Sequence, residues 1–312
     1  MTAASSNQAD LKRHDYDVVV VGAGVAGLSA AVAAAESGAR VTILERSTQA
    51  ETGGNTRYTE AFLRMASLDE PAEGIEDALV GDYMGHPDPG LMAESGRSAA
   101  RRSALLRSHH TVDLDYVEAF TENAGATLSW LKGHGVGFDF LPTPFLTTST
   151  SRMAPVGGGL AIVESMGAAA RGLGVEFHFE TTARELITDG GRVAGVRAQT
   201  AQGEVELHGQ VILASGGFQG NAEMMARYFG AASRNARPVA RGGNYNKGEG
   251  IEMGLAVGAA TAGNFSLFHA EPIDPRSART GSRHVLLPLR HPDQPRRGAV
   301  RRRGPRTHRR LV

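Results

Sequence analysis

Cysteine is absent from the 312 residues of this chain. Disulfides, thiolate metal ligands and cysteine nucleophiles are therefore excluded, and no metal site is predicted. A chain without cysteine fits a reducing compartment, so we expect a cytoplasmic location. Apolar residues make up 41% of the sequence and glycine contributes 40 residues, which predicts a turn-rich folded protein rather than a disordered one.

Lysine is missing from residues 283–312, which carry ten arginines and a single acidic residue, Asp293. Without this segment the chain has 23 basic and 32 acidic residues, a net charge of −9, so no nucleic-acid partner is expected. Three interpretations of the segment stay open: a basic arm for nucleic acid or membrane, a solvated segment without a role, or a shifted reading frame. The missing lysines favour the last, because shifted GC-rich DNA is rich in arginine codons.

A membrane span is also not predicted. Residues 18–35, VVVVGAGVAGLSAAVAAA, are nearly all apolar, as in a signal peptide or a spanning helix. However, Asp15 and Asp17 precede the run directly, and three glycines lie in its first half, where a spanning helix would need strong helix formers.

The same run is better interpreted as a strand, a glycine-rich turn and a helix. Residues 18–21 form a uniformly apolar strand, as expected when helices cover both faces of a parallel sheet. The turn has the pattern G-x-G-x-x-G, in which Gly22 permits the tight turn, Gly24 lets the backbone approach a pyrophosphate, and Gly27 allows close packing. The helix is predicted from about residue 28 to 37, with its N-terminal amides directed at the phosphates.

A second strand, RVTILE, places Glu45 18 residues after Gly27, where its carboxylate can accept ribose hydroxyls. The whole strand–turn–helix–strand unit predicts dinucleotide binding. Gly53 and Gly54 then open a polar loop that contains Asn55, Thr56, Arg57 and Thr59. Such a loop suits a ligand as long as a flavin dinucleotide, although an ordinary surface loop would have similar residues.

The rest of the chain predicts an antiparallel meander on the parallel sheet. Short β-prone runs between 175 and 215 are separated by Gly190-Gly191 and Gln202-Gly203, which are hairpin turn signals. A helix is predicted from about residue 160 to 171. Residues 130–159 are irregular and rich in glycine and proline, which is typical of a loop over a site.

Seven motifs resemble the FAD-dependent flavoproteins of the fumarate reductase and succinate dehydrogenase type, with the tricarballylate dehydrogenase-like branch as the nearest likeness. The resemblance implies an α/β fold, the FAD-type Rossmann fold, in which an antiparallel β-meander is inserted into a parallel sheet. It also implies a non-covalent FAD, because GGNTRY stands where covalent members carry a histidine. The motifs, over roughly residues 16–280, are VVVVGAGVAGL, ILER, GGNTRYT, VGGGLAIVESM, VILASGGFQGN, NYNKGEGIEMGLAVGA and FHAEPIDPRS.

The resemblance implies a cofactor site and a catalytic site. His269 corresponds by context to a histidine that binds a substrate carboxylate, although Ala270 stands where the family has proline. Arg152 could pair with another substrate carboxylate; a histidine satisfied in a loop and a surface arginine are the respective alternatives. Gly248, Glu249 and Gly250 resemble the family's Gly-Asp-Gly turn near the flavin, with Glu249 in place of the aspartate. The predicted cofactor residues are Gly22, Gly24, Val25, Ala26, Gly27, Glu45, Arg46, Gly53, Gly54, Asn55, Thr56, Arg57, Thr59, Ala183, Ala214, Ser215, Gly216, Gly217, Gly248 and Gly250.

The implied function is that of an FAD-dependent oxidoreductase that transfers hydride between flavin N5 and a small di- or tricarboxylic acid, with an electron donor or acceptor of unknown identity. Two alternatives stay open. One is a flavin-dependent dehydrogenase of the 3-ketosteroid type, which would have a broad apolar pocket. The other is a non-enzymatic nucleic-acid binder that uses the basic tail.

The family places a segment ending in Arg-Phe-Val-Asp-Glu after His269, and this chain lacks it. When residues 286–305 are back-translated with permitted codons and read one nucleotide later, that segment results. We therefore hypothesise a frameshift between about Ser277 and Leu286, and expect impaired turnover. The expected organisation is a disordered N-terminus (1–14), an FAD-binding domain lacking its C-terminal return (15–265), the start of a capping domain (266–284) and a disordered, out-of-frame tail (285–312).

Overall fold

The computed structural model describes residues 12–72, 101, 114–140, 152–238, 240–262 and 265, all within one compact unit of residues 1–281. The predicted capping segment and arginine-rich tail lie outside these residues. The strands are β1 (Lys12–Val21), β2 (Val41–Leu44), β3 (Leu63–Arg64), β4 (Phe138–Phe140), β5 (Arg152–Pro155), β6 (Glu176–His178), β7 (Thr182–Asp189), β8 (Arg192–Thr200) and β9 (Gly203–Leu213). The α-helices are α1 (Val25–Glu36), α2 (Leu114–Gly133), α3 (Gly158–Gly172), α4 (Ala222–Phe229) and α5 (Glu249–Ala256), and the 3-10 helices are Gln49–Glu51, Thr56–Tyr58, Gly230–Asn235 and Arg241–Tyr245.

One six-stranded sheet carries the fold, in the order β6-β2-β1-β9-β8-β7. The strands β6, β2, β1 and β9 pair in parallel, whereas β7, β8 and β9 pair with one another as an antiparallel meander. This arrangement confirms the predicted α/β fold of a parallel sheet with an antiparallel meander.

Strand β9 joins the two halves of the sheet. The sequence pattern predicts separate strands over residues 204–209 and 211–215, but the structure has one strand that pairs antiparallel with β8 and parallel with β1. Residues 12–15 of β1 pair with residues 205–208 of β9, so β1 begins at Lys12. The strand therefore includes residues 12–14, which the sequence assigns to a disordered N-terminus; pairing along β9 satisfies their backbone groups.

The core lies on both faces of the parallel strands. Val20 belongs to a buried cluster with Leu28 of α1 and Met166 of α3. Val19 and Val21 point to the other face, where they join a second cluster that includes Leu207 and Met253. Because both faces of β1 are buried, every residue at its centre is apolar, as the sequence pattern indicates.

Helix α1 begins three residues earlier than the sequence predicts. Gly24 is the extended residue before the helix, and the first helical residue is Val25. The G-x-G-x-x-G pattern thus extends into the first helical turn. The helix ends at Glu36, and Gly38 follows with φ +86°, a left-handed conformation that stops it.

Part of the segment predicted to be an irregular loop is ordered as strand. Strands β3, β5 and β4 form a small antiparallel sheet, in which Leu63 pairs with Met153 and Phe138 pairs with Pro155. Backbone pairing here overrides the glycine- and proline-rich composition. Within the described ranges, no helix has both the length and the apolar character that crossing a bilayer requires.

Candidate cofactor site

A cleft of about 430 Å³ opens where β1, β2 and β9 end. The carboxyl ends of parallel strands meet at one edge of a sheet, and ligands of open α/β folds bind in the crevice outside that edge. The lining residues come from six segments of the chain: 21–26, 44–46, 53–56, 181–183, 213–217, and the stretch between Tyr245 and Met253.

The turn between β1 and α1 shows which glycines the protein needs for its own packing. A Cβ on Gly22 would lie 2.5 Å from the carbonyl oxygen of Ala214, and a Cβ on Gly27 would overlap the carbonyl oxygen of Gly22. Gly24 differs, because its φ is −75° and the nearest atom to a Cβ would be the Thr56 hydroxyl oxygen at 3.5 Å. Nothing in the described protein excludes a side chain at Gly24. The space in front of it is the cleft, so a ligand has room to approach the backbone there.

The N-terminus of α1 faces the cleft without a capping side chain on Gly24. The Val25 amide donates to the Thr56 hydroxyl oxygen at 3.1 Å. The other amides of a first turn have no partner within their helix, and the helix dipole adds partial positive charge there. This combination is an anion site of the kind that holds the pyrophosphate of a dinucleotide.

Glu45 follows β2 and its carboxylate lines the cleft, although the residue is only 7% exposed. Its Oε2 accepts the amide of Ala23 at 3.0 Å, and its Oε1 accepts the amide of Ser47 at 2.8 Å. Each carboxylate oxygen has a further lone pair, so both can still accept a hydroxyl from a ligand. Glu45 thus fixes the glycine turn and offers acceptors beside it.

The polar loop divides into residues that line the cleft and residues that brace it. Gly53, Gly54, Asn55 and Thr56 line the cleft. In the part of the chain that the structure describes, Arg57 and Thr59 are not among the lining residues. Arg57 donates to the carbonyl of Thr52 at 3.4 Å, while the carbonyl of Thr59 accepts the amide of Gly159 at 2.8 Å. These two contacts hold the loop against itself and against α3.

The end of β9 and the start of α5 form the opposite wall. Here Gly250 packs so closely on Ser215 that a Cβ would overlap the serine hydroxyl, and a Cβ on Gly248 would overlap the sulfur of Met224. Gly248, like Gly27, is therefore required by packing behind the wall. The predicted residues that line this wall and the neighbouring β7 are Ala183, Ala214, Ser215, Gly216, Gly217 and Gly250, whereas Arg46 lines the cleft next to Glu45.

Sequence reasoning missed several lining residues, of which Asn246 is the most informative. Asn246 is 8% exposed and lines the cleft. Among the described residues, its side-chain amide has no hydrogen-bond partner. The amide is open to the cleft, so it can donate and accept hydrogen bonds there with a ligand. The position two residues before Gly248 was its only sequence signal. The other missed lining residues include Ala23, Thr181, Thr182, Tyr245 and Met253.

Of the two predicted catalytic residues, the structure describes only the backbone of Arg152. His269 lies outside the described residues. The backbone of Arg152 pairs with that of Arg64 between β5 and β3. Both assignments stay predictions.

Two curated proteins and one solved structure show what the chain is similar to. Vinyl phenol reductase of Lactiplantibacillus plantarum is 29% identical over 81% of this chain and 48% of its own length. Urocanate reductase of Eggerthella lenta is 33% identical over 69% of this chain and 34% of its own length. The chain thus spans about half or less of the length of these relatives.

Among solved structures, 3-ketosteroid-Δ4-(5α)-dehydrogenase from Rhodococcus jostii RHA1, in complex with 4-androstene-3,17-dione, is similar with a TM-score of 0.59. It shares 24% identity, and the match covers 82% of this chain and 56% of that one. The likeness supports the fold.

A match to the family described as FAD binding domain runs over residues 17–290. It includes every segment that lines the cleft. The uncapped helix N-terminus supplies donors for a diphosphate, and Gly24 leaves space for it. The carboxylate of Glu45 and the amide of Asn246 supply further hydrogen-bonding groups along the cleft, so the residues present fit FAD. This chain therefore belongs to the FAD binding domain family, and its cofactor is FAD.

Proposed function

We propose that this chain is an FAD-dependent oxidoreductase that acts on a small carboxylic acid. The observation that carries the proposal is the turn at Gly24, which packing leaves open in front of the uncapped N-terminus of α1. When bound, the flavin ring supplies the redox chemistry, because its N5 accepts or donates a hydride. An external electron donor or acceptor completes the cycle.

The residues of this chain would hold and orient the cofactor without a covalent bond. The amides of the α1 turn would bind the diphosphate, and Glu45 would accept the hydroxyls of the adenosine ribose while it keeps the turn in place. Asn246 would hydrogen-bond the cofactor from the opposite wall. The loop that contains Asn55 and Thr56 would line the path of the longer, flavin-bearing half.

A small carboxylic acid is favoured as substrate by the name of a relative. Urocanate reductase, at 33% identity, is named for an unsaturated carboxylic acid. The predicted roles of His269 and Arg152 as carboxylate-binding residues agree with such a substrate, as arginine binds carboxylates through two parallel hydrogen bonds. A cytoplasmic location, suggested by the missing cysteines, is part of the same proposal.

The two alternatives have weaker support. The likeness to the ketosteroid dehydrogenase, at 24% identity, concerns the fold and not the substrate. A nucleic-acid binder would draw its affinity from basic residues, whereas the chain outside residues 283–312 has a net charge of −9.

Flavin titration followed by substrate screening tests the proposal. The full chain is purified, titrated with FAD while flavin fluorescence is recorded, and then reduced without oxygen. Urocanate, fumarate and 4-androstene-3,17-dione are added in turn to the reduced protein, and reoxidation of the flavin is followed by absorbance. Tricarballylate is saturated and can only donate a hydride, so it is added to the oxidised protein and bleaching of the flavin is followed. We expect binding, and reoxidation by at least one acid; reoxidation by the steroid alone would favour the alternative. A chain that remains colourless with excess FAD would overturn the proposal.

A further inference from the structure

Two polar contacts join the segment after β2 to the segment that leads into the first turn of α5, beside the cofactor cleft. The first segment contains Arg46 and Glu51, and the second contains Tyr245 and Glu249. Arg46, Tyr245 and Glu249 themselves line the cleft. The segments are about two hundred residues apart in sequence, so these contacts are a product of the tertiary fold.

The first contact is centred on Arg46. Its Nη1 donates to the carbonyl oxygen of Tyr245 at 2.7 Å and lies 3.0 Å from Oε1 of Glu249. The side chains of Arg46 and Glu249 are 25% and 26% exposed, so water screens the pair only in part. Arg184 of β7 lies 3.9 Å from the same carboxylate and adds a second positive charge. Glu249 also stands in the first turn of α5, where a negative charge is favourable.

The second contact is centred on Glu51. One of its oxygens accepts the hydroxyl of Tyr245, and the other lies 2.7 Å from Nη2 of Arg241. Each carboxylate thus has two partners: Glu51 has Tyr245 and Arg241, and Glu249 has Arg46 and, at a longer distance, Arg184. Tyr245 takes part in both contacts, through its carbonyl oxygen in the first and through its hydroxyl in the second.

This wall contributes few apolar side chains of its own to packing. Residues 241–249 read RGGNYNKGE and include no aliphatic side chain. A Cβ on Gly242 would overlap the carbonyl of Gly54, which shows that the wall rests on the polar loop through backbone atoms. Behind the wall, Gly220 and Asn221 hydrogen-bond its backbone, whereas its contacts with residues 46–51 are made by charged and hydrogen-bonded side chains.

We propose that Arg46, Glu51, Tyr245 and Glu249 form a clasp over the cofactor cleft, and that this clasp sets how slowly the bound dinucleotide is released. The proposal rests on the proposed binding of FAD in this cleft. Opening the clasp separates the walls formed by residues 46–51 and 241–249 and exposes the cleft between them. Both contacts must break before the two segments can separate, so weakening either one raises the frequency of opening.

The rate of FAD release from the loaded full chain tests the clasp. The holoprotein is mixed with an excess of an apoflavoprotein that captures free FAD. The change in flavin fluorescence with time, as FAD is transferred, gives the rate constant of release. Glu249→Gln removes the charge that pairs with Arg46, and Tyr245→Phe removes only the hydroxyl that donates to Glu51. We expect about tenfold faster release for Glu249→Gln, the loss of one charge-assisted contact, and about threefold faster release for Tyr245→Phe.

Salt provides a readout that a purely structural role would not produce. Raising the salt concentration to about 0.5 M screens the partly exposed ion pair, so release from the parent chain should accelerate severalfold. In Glu249→Gln this acceleration should be much smaller. The matched control is Glu223→Gln, which breaks the exposed pair between Glu223 and Arg227 on α4 and should leave the release rate and its salt dependence unchanged.

The outcomes separate the clasp from the proposed function. Equal release rates in parent and variants, with a lower melting temperature of the apoproteins, would overturn the clasp and leave FAD binding intact. A parent chain that retains no FAD would overturn both proposals. If Glu249→Gln does not fold, Tyr245→Phe alone decides the matter, since it removes a single hydroxyl group.

Discussion

The glycine turn between β1 and α1 and the clasp on the facing wall border the same cleft, but they are built differently. The turn is held by backbone atoms in contact and by the buried carboxylate of Glu45. The clasp is held by partly exposed side chains across long sequence distances. Backbone contacts fix the glycine turn whatever the salt concentration, whereas the clasp depends on partly exposed charges and should respond to salt.

Adding a methyl group to Gly27 should have the largest effect on stability, because the glycine turn has no space for it. The new Cβ would overlap the carbonyl oxygen of Gly22, a backbone atom that cannot move without displacing the turn. We expect Gly27→Ala to lower the free energy of unfolding by about 3 kcal/mol. Denaturant unfolding of the apoprotein measures it. Gly172→Ala, where a Cβ would meet nothing within 4 Å, is the control and should not destabilise the chain.

Gly24→Ala should separate binding from folding within the same turn. A Cβ there makes only ordinary contacts with the protein but enters the space of the ligand. If two charge-assisted hydrogen bonds to the diphosphate are lost, FAD affinity falls by about 3 kcal/mol, or about 100-fold. The melting temperature of the apoprotein should stay the same. Unchanged affinity in a fluorescence titration would contradict the assignment of the turn as the phosphate site.

Glu45→Gln should have an intermediate effect on both the stability of the protein and its affinity for FAD. A glutamine side chain has one acceptor oxygen, so it cannot accept the amides of both Ala23 and Ser47. We expect a loss of about 1.5 kcal/mol in unfolding free energy and about tenfold in FAD affinity. Parallel denaturation and titration curves measure the two losses. A loss in affinity without a loss in stability would show that Glu45 contacts the ligand but does not hold the turn.

The smallest predicted effect is on the pH dependence of stability, and it concerns His178 at the end of β6. The carbonyl of His178 accepts the amide of Glu45, and its ring lies 3.3 Å from the Tyr16 hydroxyl. Burial, and then the nearby His14, lower the pKa of His178, while Glu176 opposes this shift. The folded state thus favours the neutral ring, whereas the unfolded ring protonates near pH 6.5.

This contribution to stability is flat above about pH 6.5 and falls as the pH drops below it, until the lower pKa of the folded state is reached. His178→Gln should reduce that slope between pH 7 and pH 5, as measured by unfolding free energies at each pH. FAD release, which we assign to the clasp, should follow salt rather than this titration. A slope that His178→Gln leaves unchanged would place the pH response elsewhere.

Local patterns in the sequence predicted the parts of the fold that are continuous along the chain. The uniform apolar run at β1, the spaced glycines and Glu45 lie within a stretch of thirty residues, where spacing and period suffice to indicate strand, turn, helix and strand. The helix start was displaced because Gly24, and not a polar residue, precedes α1. The pattern split β9 into two strands because Gly209 interrupts it, yet pairing with β1 and β8 keeps the strand continuous.

The amino-acid sequence by itself determined that a dinucleotide turn forms, since those residues are neighbours and their geometry follows from backbone sterics. The choice of FAD came from the resemblance of the motifs to known flavoproteins. Only the tertiary structure decided that Asn246 lines the cleft and that Arg46 meets Glu249 beside it. Contacts between residues two hundred positions apart depend on how the sheet, the loop and α5 pack together, and no local period of the sequence encodes that packing.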